Sequence, residues 1–124
     1  MRFITKKIHS YLDYPVAISL LILPFLLNLG SSNSIAFYLS LAVGAAALIL
    51  TILTDHETGL LPVIPYRIHL LVDFSVAILF LLAPFIFSFE GIDAYFYWAN
   101  GAAVLLVVAL HKGEEKVLSK LNAL

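Results

Sequence analysis

The stretch IHSYLDYPVAISLLILPF, residues 8–25, decides the fold of this chain. It is apolar enough to lie in lipid, yet His9 and Asp13 stand near its start, four positions apart. Nearly the same stretch returns sixty positions later as IHLLVDFSVAILFLLAPF, residues 68–85. Residues four positions apart share one face of a helix. The sequence therefore predicts two apolar helices of one kind, each carrying an imidazole and a carboxylate side by side.

The composition places most of the chain in a membrane. Of its 124 residues, 62% are hydrophobic and 12% are charged, and the mean hydropathy is +1.02. Soluble domains carry about 25% charged residues, so this composition excludes a water-soluble fold. The absence of cysteine excludes disulfides and thiolate metal sites. The net charge of −1 does not point to a nucleic-acid partner, and none is predicted.

Four apolar runs are each close to the ~20 residues that a helix needs to cross the hydrocarbon core. The second and fourth runs contain no charged residue. Helices are predicted rather than strands, because an open strand leaves its backbone groups unpaired in lipid. The four runs cover residues 9–28, 35–53, 66–88 and 94–110.

The two related stretches belong to a longer internal repeat. Alignment of residues 8–27 with 68–87 gives nine identities in twenty positions, including the histidine, the aspartate and a proline. The helices that follow match more weakly at the same offset, with Tyr38 opposite Trp98. Two hairpins that enter the membrane in the same orientation are expected to be related by a pseudo-two-fold axis along the membrane normal. This arrangement brings the two histidine–aspartate pairs to the same depth.

The predicted fold class is an all-α membrane protein with four transmembrane helices, built as two parallel helical-hairpin repeats. In the tail, apolar residues at helical spacing predict a short amphipathic helix on the membrane surface, and a solvated tail is the open alternative. The predicted units are a first hairpin at 1–60, a second hairpin at 61–112 and the tail at 113–124.

The basic residues predict the orientation of the chain. All seven fall on one side of the predicted spans, before the first, between the second and third, or after the fourth. By the positive-inside rule, both termini and the middle connection are expected in the cytoplasm. The seven residues are Arg2, Lys6, Lys7, Arg67, Lys112, Lys116 and Lys120.

The end of the first helix in each hairpin resembles a known repeat. The tripeptides concerned are Leu23-Pro24-Phe25 and Ala83-Pro84-Phe85. Together with Trp98 and Gly101 in the last helix, they resemble the SPW-repeat family of small bacterial integral membrane proteins, whose two-helix repeat carries Ser-Pro-Trp. The resemblance covers nearly the whole chain, although other residues replace the serine and the tryptophan. It implies two hairpins in a bacterial inner membrane and no particular activity.

The primary candidate site consists of His9, Asp13, His69 and Asp73. If the third helix begins near Pro65, Asp73 lies about 12 Å along its axis, where a carboxylate is costly in lipid and usually faces a partner inside the bundle. Asp13 has a competing interpretation as the N-cap of a helix that starts late. In that case His9 is merely interfacial.

Three chemical roles are open for these four residues. The first is a structural ion-pair lock that fixes the register of the helices. The second is a metal site, because imidazole and carboxylate ligands on facing helices suit zinc, iron, manganese or nickel, with haem b between two histidines as a variant. The third is a proton or ion relay through a buried Asp–His pair.

Further residues are secondary candidates. His56 and His111 fall at the predicted ends of the second and fourth helices, where histidine also has a plain role in stabilising exposed carbonyls. Arg67 stands next to the second pair as a further charge. Pro24 and Pro84 are predicted to bend the first and third helices, which either improves packing or opens a small vestibule.

The predicted function is that of a small multi-pass inner-membrane protein, a non-enzymatic structural or accessory module stabilised by paired intramembrane histidine and aspartate. Its predicted partner is the lipid bilayer, with a second copy of the chain or another membrane protein as open alternatives. The competing class is a metal- or haem-binding protein, or a proton- or ion-conducting one. The sequence indicates no substrate.

Overall fold

The computed structural model describes residues 5–55 and 58–110, and this part of the chain folds into four helices. All four are long and apolar enough to cross a membrane, so the protein is a multi-pass helical membrane protein. Their bounds differ from the predicted spans by at most three residues, and the predicted tail lies outside the described residues. The helices are α1 (Lys6–Leu26), α2 (Ile35–Leu53), α3 (Tyr66–Ile86) and α4 (Ile92–Ala109).

The start of α1 decides between the two interpretations of Asp13. The hydroxyl of Thr5 accepts a hydrogen bond from the Ile8 amide at 3.1 Å, which makes Thr5 the N-cap. Asp13 therefore lies two turns inside the helix, and its interpretation as the N-cap of a late-starting helix is wrong. α3 begins at Tyr66, the first residue of the third predicted span, and Pro65 is its N-cap.

α1 and α3 end in the same way. Asn28 and Ser88 adopt positive φ angles of 51° and 55° directly after the respective helix ends. The next amide, that of Leu29 or Phe89, donates to a proline carbonyl five residues earlier at 3.0 Å in both cases. This six-to-one bond is that of a Schellman motif, which satisfies a carbonyl that the helix itself leaves open.

The two prolines at these ends are buried inside the helices. Because proline has no N–H, Pro24 leaves the carbonyl of Leu20 without its helical donor. The hydroxyl of Ser40 on α2 donates to that carbonyl at 2.8 Å. The proline thus creates a polar contact between α1 and α2 within the apolar part of the hairpin.

In each hairpin, one glycine of the second helix packs directly against the first helix. A Cβ atom on Gly44 would lie 3.0 Å from Leu20 Cβ, and one on Gly101 would lie 3.1 Å from the carbonyl oxygen of Ala77. Such separations are shorter than most Cβ contacts, so a side chain here would require the neighbouring helix to shift, and glycine permits the close approach of α2 to α1 and of α4 to α3. Both hairpins are therefore tightly packed units.

The apolar core fills the half of the bundle next to the loops 27–34 and 87–91, here called the Asp93 end. Phe80 and Tyr97 are its largest fully buried side chains, with ring centroids 4.6 Å apart. The Tyr97 hydroxyl donates to the Ala36 carbonyl at 2.6 Å and so joins α4 to α2. The other members of this core are Leu20, Leu29, Ala36, Ala83, Phe89, Ala94 and Phe96.

Asp93 joins the two hairpins at this end. Its carboxylate is fully buried and accepts hydrogen bonds from the Gly30 amide at 2.8 Å and from the Ser32 amide at 3.0 Å. The Ser32 hydroxyl donates to the same carboxylate. Asn33 adds a bond from its side-chain amide to the Phe87 carbonyl at 3.0 Å. The loop of the first hairpin is thus held by a charge on the second.

Replacement of Asp93 by asparagine tests this contact. In Asp93→Asn one carboxylate oxygen becomes an NH₂ group that faces an amide donor, and we expect the free energy of unfolding to fall by about 1–3 kcal/mol. Denaturation in mixed detergent micelles, followed by circular dichroism, measures the change. Glu90→Gln, on an exposed side chain of the adjoining loop 87–91, is the control and should leave stability unchanged. Equal stability of the two variants would contradict this role of Asp93.

Candidate metal centre

Two imidazoles and two carboxylates converge where α1 and α3 begin, here called the histidine end. His9 and Asp13 come from α1, and their counterparts His69 and Asp73 come from α3. One ligand atom from each of the four residues lies within 4.8 Å of all the others. The structure therefore brings together the four residues of the primary candidate site, here called the His–Asp cluster.

The short contacts of the cluster join imidazole Nε2 atoms to carboxylate oxygens. His9 Nε2 lies 2.8 Å from Asp73 Oδ2 and 3.1 Å from Asp13 Oδ1. His69 Nε2 lies 3.2 Å from Asp13 Oδ2 and 3.2 Å from Asp73 Oδ2. Both histidines are almost fully buried, with 2% and 1% of their surface exposed. The cluster thus connects α1 to α3 through groups that are costly to bury alone.

Thr54 fixes the orientation of the His69 ring. Its hydroxyl donates to the Leu50 carbonyl of α2, and Thr54 Oγ1 lies 2.7 Å from His69 Nδ1. A hydroxyl has one proton, and a carbonyl only accepts, so that proton goes to Leu50. The Nδ1 atom of His69 therefore carries a proton and donates it to Thr54.

This assignment determines what stands at the centre of the cluster. With its proton on Nδ1, a neutral His69 presents the lone pair of Nε2 to two carboxylates. A lone pair and carboxylate oxygens at 3.2 Å repel each other unless a cation lies between them. That cation is either a proton, held on Nε2 or on one of the two carboxyl groups, or a metal ion bound by all four groups. The centre of the cluster is thus a site for a positive charge.

The connection between α2 and α3 positions Thr54. Thr54 pairs with Ile64 in an isolated parallel bridge, and the Asp55 amide donates to the Ile64 carbonyl at 2.9 Å. On the other side, the Thr58 hydroxyl donates to the Ser10 carbonyl at 3.0 Å, and the Tyr14 hydroxyl donates to the Thr58 carbonyl at 2.6 Å. The connection is therefore attached to α1 as well as α2.

A cavity of about 280 Å³ adjoins the His–Asp cluster, and all four helices contribute to its lining. The cluster forms one wall, and aliphatic side chains of α1 and α4 form much of the rest. Two uncharged polar residues, Thr51 of α2 and Asn100 of α4, also line it. The histidine end of the bundle thus contains a partly open cavity, in contrast to the packed core at the Asp93 end.

The secondary candidate residues do not lie together with the His–Asp cluster in the part of the chain that the structure describes. Arg67 is exposed at the start of α3 and does not line the cavity. His56 and His111 lie outside the described residues. Pro24 and Pro84 lie at the Asp93 end, where their carbonyls accept the bonds that end α1 and α3. The predicted vestibule at the prolines stays a prediction.

Three residues of the site are not among the sequence predictions. Thr54 follows the second predicted span, and nothing in a single sequence shows that its hydroxyl meets an imidazole fifteen residues later. Thr51 and Asn100 lie inside apolar runs. An amide in the middle of an apolar helix is a signal that could have identified Asn100, since polar groups in lipid are usually retained for a contact.

The donor set fits a divalent first-row metal ion. Imidazole nitrogen and carboxylate oxygen are ligands for zinc, iron, manganese and nickel, and Thr54 supplies the outer hydrogen bond that orients a ligating histidine. Haem b does not fit. Its iron would need the two Nε2 atoms on opposite sides of a porphyrin, whereas here carboxylate oxygens lie within 3.2 Å of both.

Comparison with protein-family models, with curated proteins and with solved structures finds no match to this chain.

Removal of the Thr54 hydroxyl tests the assignment of the His69 proton. In Thr54→Val the Nδ1–H group loses its acceptor while the side-chain volume is kept, and we expect the free energy of unfolding to fall by about 1–3 kcal/mol. Thr54→Ser keeps the hydroxyl and is the matched control. Denaturation of both variants in mixed micelles measures the difference. If valine and serine gave the same stability, Thr54 would not hold His69.

Proposed function

We propose that this protein is a small, non-enzymatic membrane module that binds one divalent metal ion inside its bundle through His9, Asp13, His69 and Asp73. The observation that carries the proposal is the convergence of both Nε2 atoms on the carboxylate oxygens of the partner helix. The Nδ1 proton of His69, held by Thr54, leaves Nε2 as the ligand atom. A bound metal would replace the proton that the cluster otherwise needs.

The geometry of the cluster is close to that of a metal site. Zinc binds imidazole nitrogen and carboxylate oxygen at about 2.0–2.2 Å, so neighbouring ligand atoms in a tetrahedron lie about 3.3–3.6 Å apart. The four contacts between Nε2 and oxygen are 2.8–3.2 Å long. An outward shift of less than about 1 Å at each contact would accommodate the ion. Residues on two different helices supply the ligands, so metal binding would also hold the hairpins together.

Equivalent features in the two hairpins support their origin as repeats. The loop between α1 and α2 covers residues 27–34, and the loop between α3 and α4 covers 87–91, which is three residues shorter. Equivalent positions in the second helices are then 57 apart rather than sixty. This offset pairs Gly44 with Gly101, the two glycines of close helix approach. A pseudo-two-fold axis between the hairpins would pass near the His–Asp cluster.

The proposed location is the inner membrane of a bacterium, with both termini and the middle connection in the cytoplasm. The support is the one-sided distribution of the seven basic residues in the sequence. In this orientation the His–Asp cluster lies toward the cytoplasmic face. Membership of the SPW-repeat family stays a proposal, supported by the repeat and by the matching prolines.

A second candidate function uses the same residues without a metal. The 2.8 Å contact between His9 Nε2 and Asp73 Oδ2 has the length of a charge-assisted hydrogen bond. In that case protons occupy the centre, and the cluster is either a structural lock between α1 and α3 or a proton relay. Proton flux into liposomes that is lost in Asp73→Asn would favour the relay.

Metal binding is tested on protein purified in detergent and loaded with Zn²⁺. We expect about one zinc ion per chain by elemental analysis. The affinity, measured against a chromophoric chelator, should fall by more than about tenfold in His69→Gln and Asp73→Asn. Thr54→Val, which removes an outer hydrogen bond, should weaken binding by about 10–100-fold.

Asp93→Asn is the matched control for this experiment. It alters a buried aspartate of the same protein at the other end of the bundle and should leave the zinc affinity unchanged. If wild-type protein held no zinc above the level of His69→Gln, the metal proposal would be wrong. The lock or relay would then account for the cluster.

A further inference from the structure

The cavity beside the His–Asp cluster is large enough for a small organic molecule. Its volume is about 280 Å³. A cavity of about 150 Å³ lined by apolar side chains binds benzene, which has six non-hydrogen atoms. By proportion, this cavity holds a molecule of about eleven non-hydrogen atoms.

The walls of the cavity differ in polarity. The aliphatic residues that line it are Leu12, Val16, Ala47, Ala103, Val104 and Val107. The His–Asp cluster forms a wall of nitrogen and oxygen atoms, and Asn100 adds an amide. Asn100 uses its nitrogen to donate to the Phe96 carbonyl at 2.8 Å, so its oxygen remains as an acceptor for a ligand. Such a cavity suits an amphipathic molecule better than a lipid acyl chain.

The cavity reaches the surface of the bundle at Leu12 of α1 and Ala103 of α4, which both line it and are exposed. Ala47 and Thr51 line it from α2. At the Asp93 end, α2 and α4 are joined by the Tyr97 hydroxyl on the Ala36 carbonyl. In a bilayer the opening faces lipid, and a lipophilic molecule would enter from there.

We propose that this cavity binds a small lipophilic molecule that carries a hydroxyl group and that the hydroxyl oxygen ligates the metal of the His–Asp cluster. The inference rests on the proposed metal site and names the class of molecule that reaches it. Zinc accepts a fifth ligand. The hydroxyl proton would be donated to a carboxylate oxygen of Asp13 or Asp73, and the apolar body would lie against the aliphatic wall.

Charge selects the hydroxyl over other head groups. A divalent metal ion and the two carboxylates sum to zero, so the loaded cluster has no net charge to attract an ion. A carboxylate on the ligand would place a negative charge without a counter-charge in a mostly apolar cavity, which is costly, and an ammonium group has no lone pair for the metal. A neutral hydroxyl group can ligate the metal ion through its oxygen and donate its proton to a carboxylate, so it matches both groups of the cluster.

The experiment uses 2-naphthol, which has the expected size, together with naphthalene and 2-naphthoate as matched probes. Their binding to the full-length protein in nanodiscs is measured by equilibrium dialysis against empty nanodiscs. We expect 2-naphthol to bind the zinc-loaded protein about tenfold more tightly than the metal-free protein, and more tightly than either matched probe.

Two variants on one face of α4 locate the binding. Ala103→Phe fills the cavity from its rim, and it should abolish 2-naphthol binding while zinc content stays unchanged. Ala99→Phe places the same ring one turn away on an exposed position that does not line the cavity. It should leave both zinc content and 2-naphthol binding as in the wild type.

The outcomes separate this inference from the proposed function. Zinc-loaded protein that does not bind 2-naphthol, or binds it equally in Ala103→Phe, overturns the inference and leaves the metal site standing. Equal affinity for 2-naphthol and naphthalene also overturns it, because the hydroxyl then makes no contact. Failure to take up zinc, seen by elemental analysis of the same samples, overturns the metal site and this inference together.

Discussion

Two carboxylates and two imidazoles are held against one another at the histidine end, in a part of the bundle that lies within the candidate membrane spans. Groups of this kind are costly to bury, and the cost falls only when each charge finds a partner. Thr54 makes the requirement stricter, because it keeps the proton of His69 on Nδ1 and turns Nε2 toward the carboxylates. A cation at the centre is therefore a condition for the structure, whether it is a proton or a metal ion.

The two ends of the bundle hold the hairpins together in different ways. At the Asp93 end, aromatic packing and the buried Asp93 hold the hairpins together. At the histidine end the hairpins are joined through the cluster and the connection around Thr58, next to open space. A molecule that is packed at one end and hollow at the other keeps its helices in register while leaving room for a ligand. The cavity and the cluster are thus parts of one site.

Most of the fold could be predicted from the sequence, because hydropathy determines which segments cross a membrane and the repeated spacing of His9 and Asp13 determines which face points inward. The same spacing indicated the convergence of the four side chains. The roles of Thr54 and Asn100 could not be predicted, since they depend on how a connection folds and where two helices separate. The interpretation of Asp13 as the N-cap of a late-starting helix is wrong, because Thr5 caps α1 two turns earlier.

X-ray absorption at the zinc edge of the loaded protein tests the central claim most directly. Two imidazole and two carboxylate ligands predict a shell of nitrogen and oxygen at about 2.0–2.2 Å, with the multiple scattering that imidazole rings give. The Asp93→Asn protein should give the same spectrum. A shell of oxygen atoms without imidazole scattering would contradict the account, because the metal would then lie elsewhere on the protein.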